Sequence, residues 1–307
     1  MNILDSITPS LKKSQLAARV YKAFRCALTS ISPTLNTIVT FRISKGRQLN
    51  LCHPASFDEK ISWLKLNVYN HDALVRECAD KLAVRKYVER QGCGDLLNEL
   101  YAVYDCVEDI PWASLPPQFV LKWNVGSGGH VICPELETLD IEAAKRFLRR
   151  AGRRRYHLPN AELQYKDIHR VILCEKYIST QNGRPPADYK FDCYSGQVRF
   201  VMVCTDRGLP TARYYRFDRD WNRISGEASS DGVAYEGVRP AALEEAVRYA
   251  EILSAPFPYV RVDFYIEEGR VIFGELTFTP TGGIDSGIAE ELDALLGKPL
   301  VLPALGG

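Results

Sequence analysis

An α+β chain with a mainly helical N-terminal region is what this sequence predicts, and two observations carry that expectation. Apolar residues recur at helical spacing in residues 14–28, 72–92, 139–152 and 241–254. Between these segments lie paired runs of β-branched and aromatic residues, each pair closed by a glycine-containing turn, at 118–132, 188–204 and 260–276. Such pairs read as antiparallel hairpins.

The 307 residues suffice for two or three subdomains sharing a large core. Hydrophobic residues at 46% and charged residues at 25% are ordinary for a soluble globular protein. A net charge of +1 gives no bulk attraction to nucleic acid or an anionic membrane. Nine cysteines are scattered, with no C-x-x-C pair, and several sit in apolar runs, such as Cys174 in VILCEKYI and Cys204 in FVMVC. That pattern argues against a disulfide framework or a zinc site. No apolar run approaches the roughly 18 residues of a membrane span, and no signal-peptide h-region opens the chain, so a cytoplasmic setting is expected. The basic amphipathic segment 14–28 fits docking onto the protein body, with peripheral membrane association as the rival.

The elements follow in order. Ser56 and Glu59 have the spacing of a capping box ahead of a helix carrying Ile61, Trp63 and Leu64. DALVRECADKLAVRKYVERQG (72–92) predicts one continuous helix stopped by Gly92 and Gly94, with Asp80 and Lys81 on its solvated face. ELYAVYDC reads as a strand and IPWASLPPQ as a linker. Next comes QFVLKWNVGSGGHVI (118–132), where Phe119, Val120 and Leu121 lead to Lys122 and then to Gly126-Ser127-Gly128-Gly129. A turn without Cβ atoms lets backbone N–H groups approach an anion, and a lysine on the incoming strand reaches the same phosphates. An ordinary hairpin with an exposed lysine fits the same residues. The helix at 139–152 places cations in its last turns. After it, Arg153-Arg154-Arg155-Tyr156-His157 is either a basic loop reaching for an acidic group or a solvated helix end. His157 and His169 lack ligand-spaced partners.

RVILCEKYI (170–178) predicts a buried strand, NGRPPADYK (182–190) a loop, and DYKFDCYSGQVRFVMVC a hairpin turned at Ser195-Gly196. A helix at 241–254 follows. The last hairpin joins strands 260–266 and 271–276. Arg261 and Asp263 share a face of the first strand; Glu275 and Thr277 share a face of the second. If the two faces meet, Asp263 and Glu275 form a carboxylate pair, which is costly unless a cation sits between them. Oxygen-only ligands suit Mg²⁺. Solvated acids on an edge strand are the competing explanation.

Together, Asp80-Lys81, FVLKWNVGSGGHVI, Glu175-Lys176-Tyr177-Ile178 and RVDF…GELTFTP stand in the order seen in ATP-grasp enzymes, which the chain resembles. LNLCHPASFDEKISWLKL, ADKLAVRKYV, ADYKFDCYSG and FGELTFTPTGG look like the teichuronopeptide-biosynthesis (TupA-type) branch. The resemblance implies two α+β subdomains clasping ATP, with borders at 1–71 (helical region), 72–178 (central subdomain with glycine-rich lid) and 179–307 (Mg²⁺-binding strands). It implies that Lys81 and Lys122 meet the ATP phosphates under the Gly126–Gly129 loop. Glu175 would accept from the adenine amino group, Lys176 and Ile178 would offer backbone contacts, and Tyr177 would pack nearby. Asp188 would hold the ribose and Lys190 a phosphate. Asp263 and Glu275 would bind Mg²⁺, with Arg261 stabilising the transferring phosphoryl group. Related enzymes commonly carry Asn two residues after the second metal-binding Glu; Thr277 stands there, a weaker ligand.

The implied activity is ATP-dependent carboxylate–amine ligation through an acyl-phosphate. It would join an amino acid or peptide to a uronic-acid-containing polysaccharide or related carboxylate-bearing sugar of the cell envelope. The sequence holds no nucleophile–base pair, and phosphoryl transfer needs none. Arg199, Arg213, Arg216 and Arg153–Arg155 are candidate acceptor contacts by residue type. Rival readings are an ATP-grasp phosphotransferase acting on a hydroxyl and a non-catalytic ATP-binding scaffold.

Overall fold

Ser32 and Pro33 divide the N-terminal helical region into α1 (Gln15–Ile31) and α2 (Pro33–Lys45), the Ser32 hydroxyl capping the second helix. The computed structural model describes residues 15–178, 180, 186–206, 211–230 and 232–304. Thus residue 14, the N-terminal region read for a signal peptide and part of the loop expected at 182–190 lie outside the described residues. The amphipathic segment does dock onto the protein: Arg25 donates to Asn160 Oδ1 (2.5 Å) and Thr29 to the Leu158 carbonyl (2.6 Å). Among the described residues no helix is long and apolar enough to cross a membrane.

In α3 (Phe57–Leu64) the Ser56–Glu59 capping box forms as its spacing predicts. Lys45 pairs with the buried Asp58 at 2.7 Å. Burial and the neighbouring Asp293 nonetheless push the Asp58 carboxyl up to about 7.

The single helix expected over 72–92 is two helices, α4 (Ala73–Ala79) and α5 (Ala83–Arg90). Asp80 between them is extended (φ −84°, ψ 116°). Its carboxylate accepts from Leu82 N at 2.8 Å and from the Asn124 amide at 2.9 Å, while Lys81 N donates to the Asn124 carbonyl at 3.0 Å. An aspartate that bonds its own backbone two residues on competes with the helical ladder, and here a tertiary partner tips the balance. Asp80 and Lys81 are therefore not on a solvated helix face.

β1 (Leu100–Tyr104), β2 (Phe119–Trp123) and β3 (His130–Cys133) precede α6 (Ile141–Gly152), which Asp140 caps. β4 (Ile172–Lys176) then inserts between β1 and β2 to give an antiparallel sheet of order β1-β4-β2-β3. Its core is small and self-contained, drawing on Val107, Phe119, Leu121, Leu148, Ile172 and Cys174 among others.

The second sheet has order β10-β9-β5-β6-β7-β8 and is also antiparallel. It comprises β5 (Asp188–Tyr194), β6 (Gln197–Thr205), β7 (Arg213–Asp218) and β8 (Arg223–Ile224), then, after α7 (Leu243–Ser254), β9 (Tyr259–Glu267) and β10 (Arg270–Thr277). α8 (Glu290–Gly297) packs against α3. The Ser195-Gly196 turn has positive φ at both residues, as a tight hairpin requires. One large core joins this sheet to α3, α4, α5 and α7, so helices that precede the small sheet in sequence bury their apolar faces against the large one.

Candidate active site

Lys81 ties the two sheets together. The break between α4 and α5 aims its Nζ at the Gly126 carbonyl in the β2–β3 turn (2.8 Å) and at Glu275 Oε2 on β10 (3.1 Å). The buried Asn124 holds this arrangement from below. It accepts from Val171 N at 3.0 Å and donates to Asp80 and to the His169 carbonyl, both at 2.9 Å. The glycine turn and the acidic hairpin therefore face one cleft with a lysine between them.

On the large sheet, Glu275 stands directly across from Asp263 in register. A plain hairpin counted from the Glu267–Arg270 pair would put Gly274 there instead. A bulge between Phe273 and Glu275 shifts the register and turns the Glu275 carboxylate to the face of Asp263. A Cβ on Gly274 would lie 2.9 Å from the Asp263 carbonyl oxygen, so glycine lets the bulge close. Arg261 grips Asp263 with two parallel hydrogen bonds, Nε to Oδ1 at 2.7 Å and Nη2 to Oδ2 at 2.8 Å, and reaches Thr277 Oγ1 at 3.3 Å. Lys190 on the adjacent β5 completes the set, 2.7 Å from Asp263 Oδ2 and 3.4 Å from Asp188 Oδ2. Burial works against the Arg261 charge, yet the Asp263 pair raises its pKa above the ordinary arginine value.

The small sheet contributes a second ion pair. Lys122 Nζ lies 2.7 Å from Glu175 Oε2, and Arg85 on α5 approaches Glu175 Oε1 at 3.8 Å. Lys176 already uses its backbone, donating to the Glu99 carbonyl (2.9 Å) and accepting from the Asn98 amide (2.8 Å). Tyr177 and Ile178 follow, half-buried, at the end of β4. Ser127 and Gly128 are exposed at the tip of the glycine turn, with Gly126 and Gly129 half-buried beside them.

Several participants were not singled out in the sequence. Arg85 looks there like any helix-surface arginine, and Asn124 like any loop residue. Tyr156 packs so closely on Gly126 that a Cβ there would lie 2.3 Å from its ring. The Tyr165 phenol is pushed well up by burial, then by Glu162 and Glu275, with Arg261 opposing. Among the candidate acceptor arginines, Arg216 is instead a buried structural residue: it pairs with Asp192 and with Glu227 at 2.8 Å, and leans on Met202 Sδ at 3.4 Å. Arg199 is exposed and bonds Gln197, while Arg213 is half-buried and donates to the Ala212 carbonyl at 3.3 Å.

A model of the family described as TupA-like ATPgrasp matches residues 59–301. No curated protein matches the chain. Solved structures similar to it include the ATP complex of D-alanine–D-alanine ligase from Bacillus anthracis, 15% identical, covering 79% of this chain and 65% of that one at a TM-score of 0.43. The L-amino acid ligase from Bacillus licheniformis is 13% identical, covering 66% of this chain and 41% of that one at a TM-score of 0.38. The ADP complex of purK, an N5-carboxyaminoimidazole ribonucleotide synthetase, is 17% identical, with coverages of 66% and 45% and a TM-score of 0.40. The chain spans less than two thirds of the length of each of these three. With the family match running through both sheets and the helices that join them, the chain belongs to the TupA-like ATP-grasp family and has the ATP-grasp fold.

Proposed function

We propose that the chain is an ATP-dependent carboxylate–amine ligase that works through an acyl-phosphate, joining an amino acid or peptide to a carboxylate-bearing sugar of a uronic-acid-containing, teichuronopeptide-like envelope polymer. The observation that carries this reading is the position of Lys81, shared between the glycine turn and Glu275. A cation held there by one carbonyl and one carboxylate is placed to move onto a triphosphate entering between them. Lys122 is the second phosphate ligand from the small sheet and Lys190 the third from the large one. The turn from Gly126 to Gly129 folds over the phosphates through its N–H groups. Glu175, Lys176, Tyr177 and Ile178 line the adenine side, and Asp188 the ribose. Family membership supports the ATP assignment, and the absence of any need for a nucleophile supports the chemistry.

Mg²⁺ suits the donors on β9 and β10, because Asp263, Glu275 and Thr277 present oxygen only. Among the described residues no group of three or more His, Cys, Asp and Glu side chains is placed to hold a metal. Most of an octahedral shell would then be phosphate oxygen and water, as this ion prefers. When bound, Mg²⁺ would neutralise charge on the phosphates. Asp263 is held by both Arg261 and Lys190 and Glu275 by Lys81, so the ion would share each carboxylate with a cation of the chain.

In the reaction, an oxygen of the substrate carboxylate attacks the γ-phosphorus and ADP leaves. The amine then attacks the acyl carbon, inorganic phosphate leaves, and the nitrogen loses its proton. Arg261, fixed in orientation by its bidentate hold on Asp263, stabilises charge on the transferring phosphoryl group and on the tetrahedral oxyanion. The work would take place in the cytoplasm, where ATP is supplied.

A screen of phosphate release with paired amino acids and uronic acids tests this. Release only when both are present is expected; phosphate retained on a sugar hydroxyl would replace the ligase with a phosphotransferase. Lys122→Ala and Glu275→Ala should each slow turnover at least about 10²-fold, the scale of one lost electrostatic stabiliser, with the fold intact. Near-normal rates in either variant would sink the site.

A further inference from the structure

Residues 153–170, between α6 and β4, form a strap that touches three parts of the molecule. Arg154 donates to the Gly128 carbonyl at 3.4 Å, and Tyr156 packs on Gly126. Farther along, the Thr279 hydroxyl just beyond β10 donates to Glu162 at 2.6 Å and accepts from Gln164 at 3.1 Å. On the opposite side, the Leu158 carbonyl accepts from Thr29 at 2.6 Å and the Pro159 carbonyl from Asn36 at 3.1 Å, which fixes the strap to α1 and α2. A cavity of about 680 Å³ opens where the strap meets those helices. That volume is in the range of small-ligand sites.

The charge around this cavity is lopsided. Arg153, Arg155, Lys166 and Arg170 line it together with His157, against one carboxylate, Asp167. Arg170 spends one N–H on the Gly152 carbonyl at 2.5 Å. Arg153, Arg155 and Lys166 are in no ion pair with a carboxylate among the described residues. His157 Nδ1 is buried with no hydrogen-bond partner. With 38 acids against 39 cations the chain has nearly one acid for each, and elsewhere it uses them: the cations of the cleft and of the Asp58 cluster are all paired. Cations left facing one another around a hollow repel, and an anion between them removes that cost.

We propose that this cavity binds the acidic substrate, a saccharide chain carrying several anionic groups, and that the strap hands one of its carboxylates to the neighbouring cleft. Its assignment as a substrate site rests on the ligase reading; its preference for an oligoanion rests on the wall itself. Cations spaced along a strap suit a chain of repeated anions better than a single small acid. Arg154, Tyr156, Glu162 and Gln164 of the same strap touch Gly128, Gly126 and Thr279, while residues between and beyond them line the cavity, so one strap borders both the cavity and the cleft.

Isothermal titration of the full chain, saturated with a non-hydrolysable ATP analogue, tests the proposal with two probes, tetragalacturonate for carboxylates and a short poly(glycerol phosphate) for phosphates. Wild type should bind tetragalacturonate, and the double variant Arg155→Glu/Lys166→Glu should bind it at least about tenfold more weakly, with affinity for the ATP analogue unchanged. Binding of the poly(glycerol phosphate) alone would make the wall a phosphate site and overturn the hand-over of a carboxylate. The neutral variants Arg155→Gln and Lys166→Gln, at exposed positions that no fold contact uses, should show intermediate losses and guard against misfolding from charge reversal. Failure of wild type to bind tetragalacturonate, equal binding by the double variant, or tighter binding of a short ribo-oligonucleotide run as a control would overturn the proposal. Because binding is read without turnover, the two readings fail separately. Intact binding with no phosphate release removes the ligase and leaves the anion site, whereas turnover indifferent to charge reversal removes the anion site and leaves the ligase.

Discussion

Two hairpins face the same cleft and are built on opposite principles. The β2–β3 hairpin offers backbone: its tip is exposed, Gly128 sits at φ +66° with open space around it, and its neighbours Lys81 and Arg154 hold it by carbonyl oxygens. The β9–β10 hairpin offers side chains: Asp263 is buried and locked by Arg261 and Lys190, and a bulge aligns it with Glu275. On the proposed function the first hairpin closes over a ligand, which suits groups that move without breaking ion pairs. On the same reading the second orients phosphoryl transfer, which suits groups that cannot move.

The largest effect expected from this contrast is on stability. Asp263→Asn leaves Arg261 and Lys190 without their shared counter-charge in a buried setting, and should cost about 3–5 kcal/mol in chemical denaturation. A loss below about 1 kcal/mol would mean the acidic hairpin is as adaptable as the glycine turn. Next, Gly274→Ala forces a Cβ against the Asp263 carbonyl and should cost about 1–3 kcal/mol while moving Glu275 out of line, so kcat should fall more than KM for ATP rises. Unchanged kinetics would show that the bulge does not position Glu275. Smallest is Gly128→Ala, where the strain is only that of a left-handed residue, about 1 kcal/mol. Its mark should be a several-fold higher KM for ATP with little change in denaturation midpoint. If it destabilises the fold as much as Asp263→Asn, the contrast between the two hairpins is false.

How much of this was legible in the sequence differs between the same two regions. In the glycine turn, Lys122 and Gly126 to Gly129 lie within eight residues, and period-2 patterning places the flanking strands, so the hairpin itself was legible locally. In the acidic hairpin the residue types were legible, but their meeting was not. Counting pairs back from the Glu268-Gly269 turn puts Gly274 opposite Asp263, and only the bulge corrects it. The interruption at Asp80–Lys81 was hidden for a similar reason. ALVRECADKLAVRKYV has good helical spacing throughout, and what breaks the helix is Asn124, more than forty residues away. Arg216 was misjudged because residue type says nothing of burial: two acids distant in sequence, Asp192 and Glu227, take up its guanidinium.

By itself the sequence determined the α+β class, the hairpins, the Ser56 cap and the residue types able to meet phosphate and magnesium. Those depend on side-chain period, turn chemistry and functional groups carried within a few neighbouring residues. Tertiary structure alone decided that Lys81 leaves its helix to join the two sheets, that Glu275 faces Asp263, and that a cationic strap borders a hollow against the N-terminal helices. Lys81 and the strap are settled by hydrogen bonds or ion pairs to residues far away in the chain, and Glu275 by the bulge at Gly274, which the period-2 pattern does not mark.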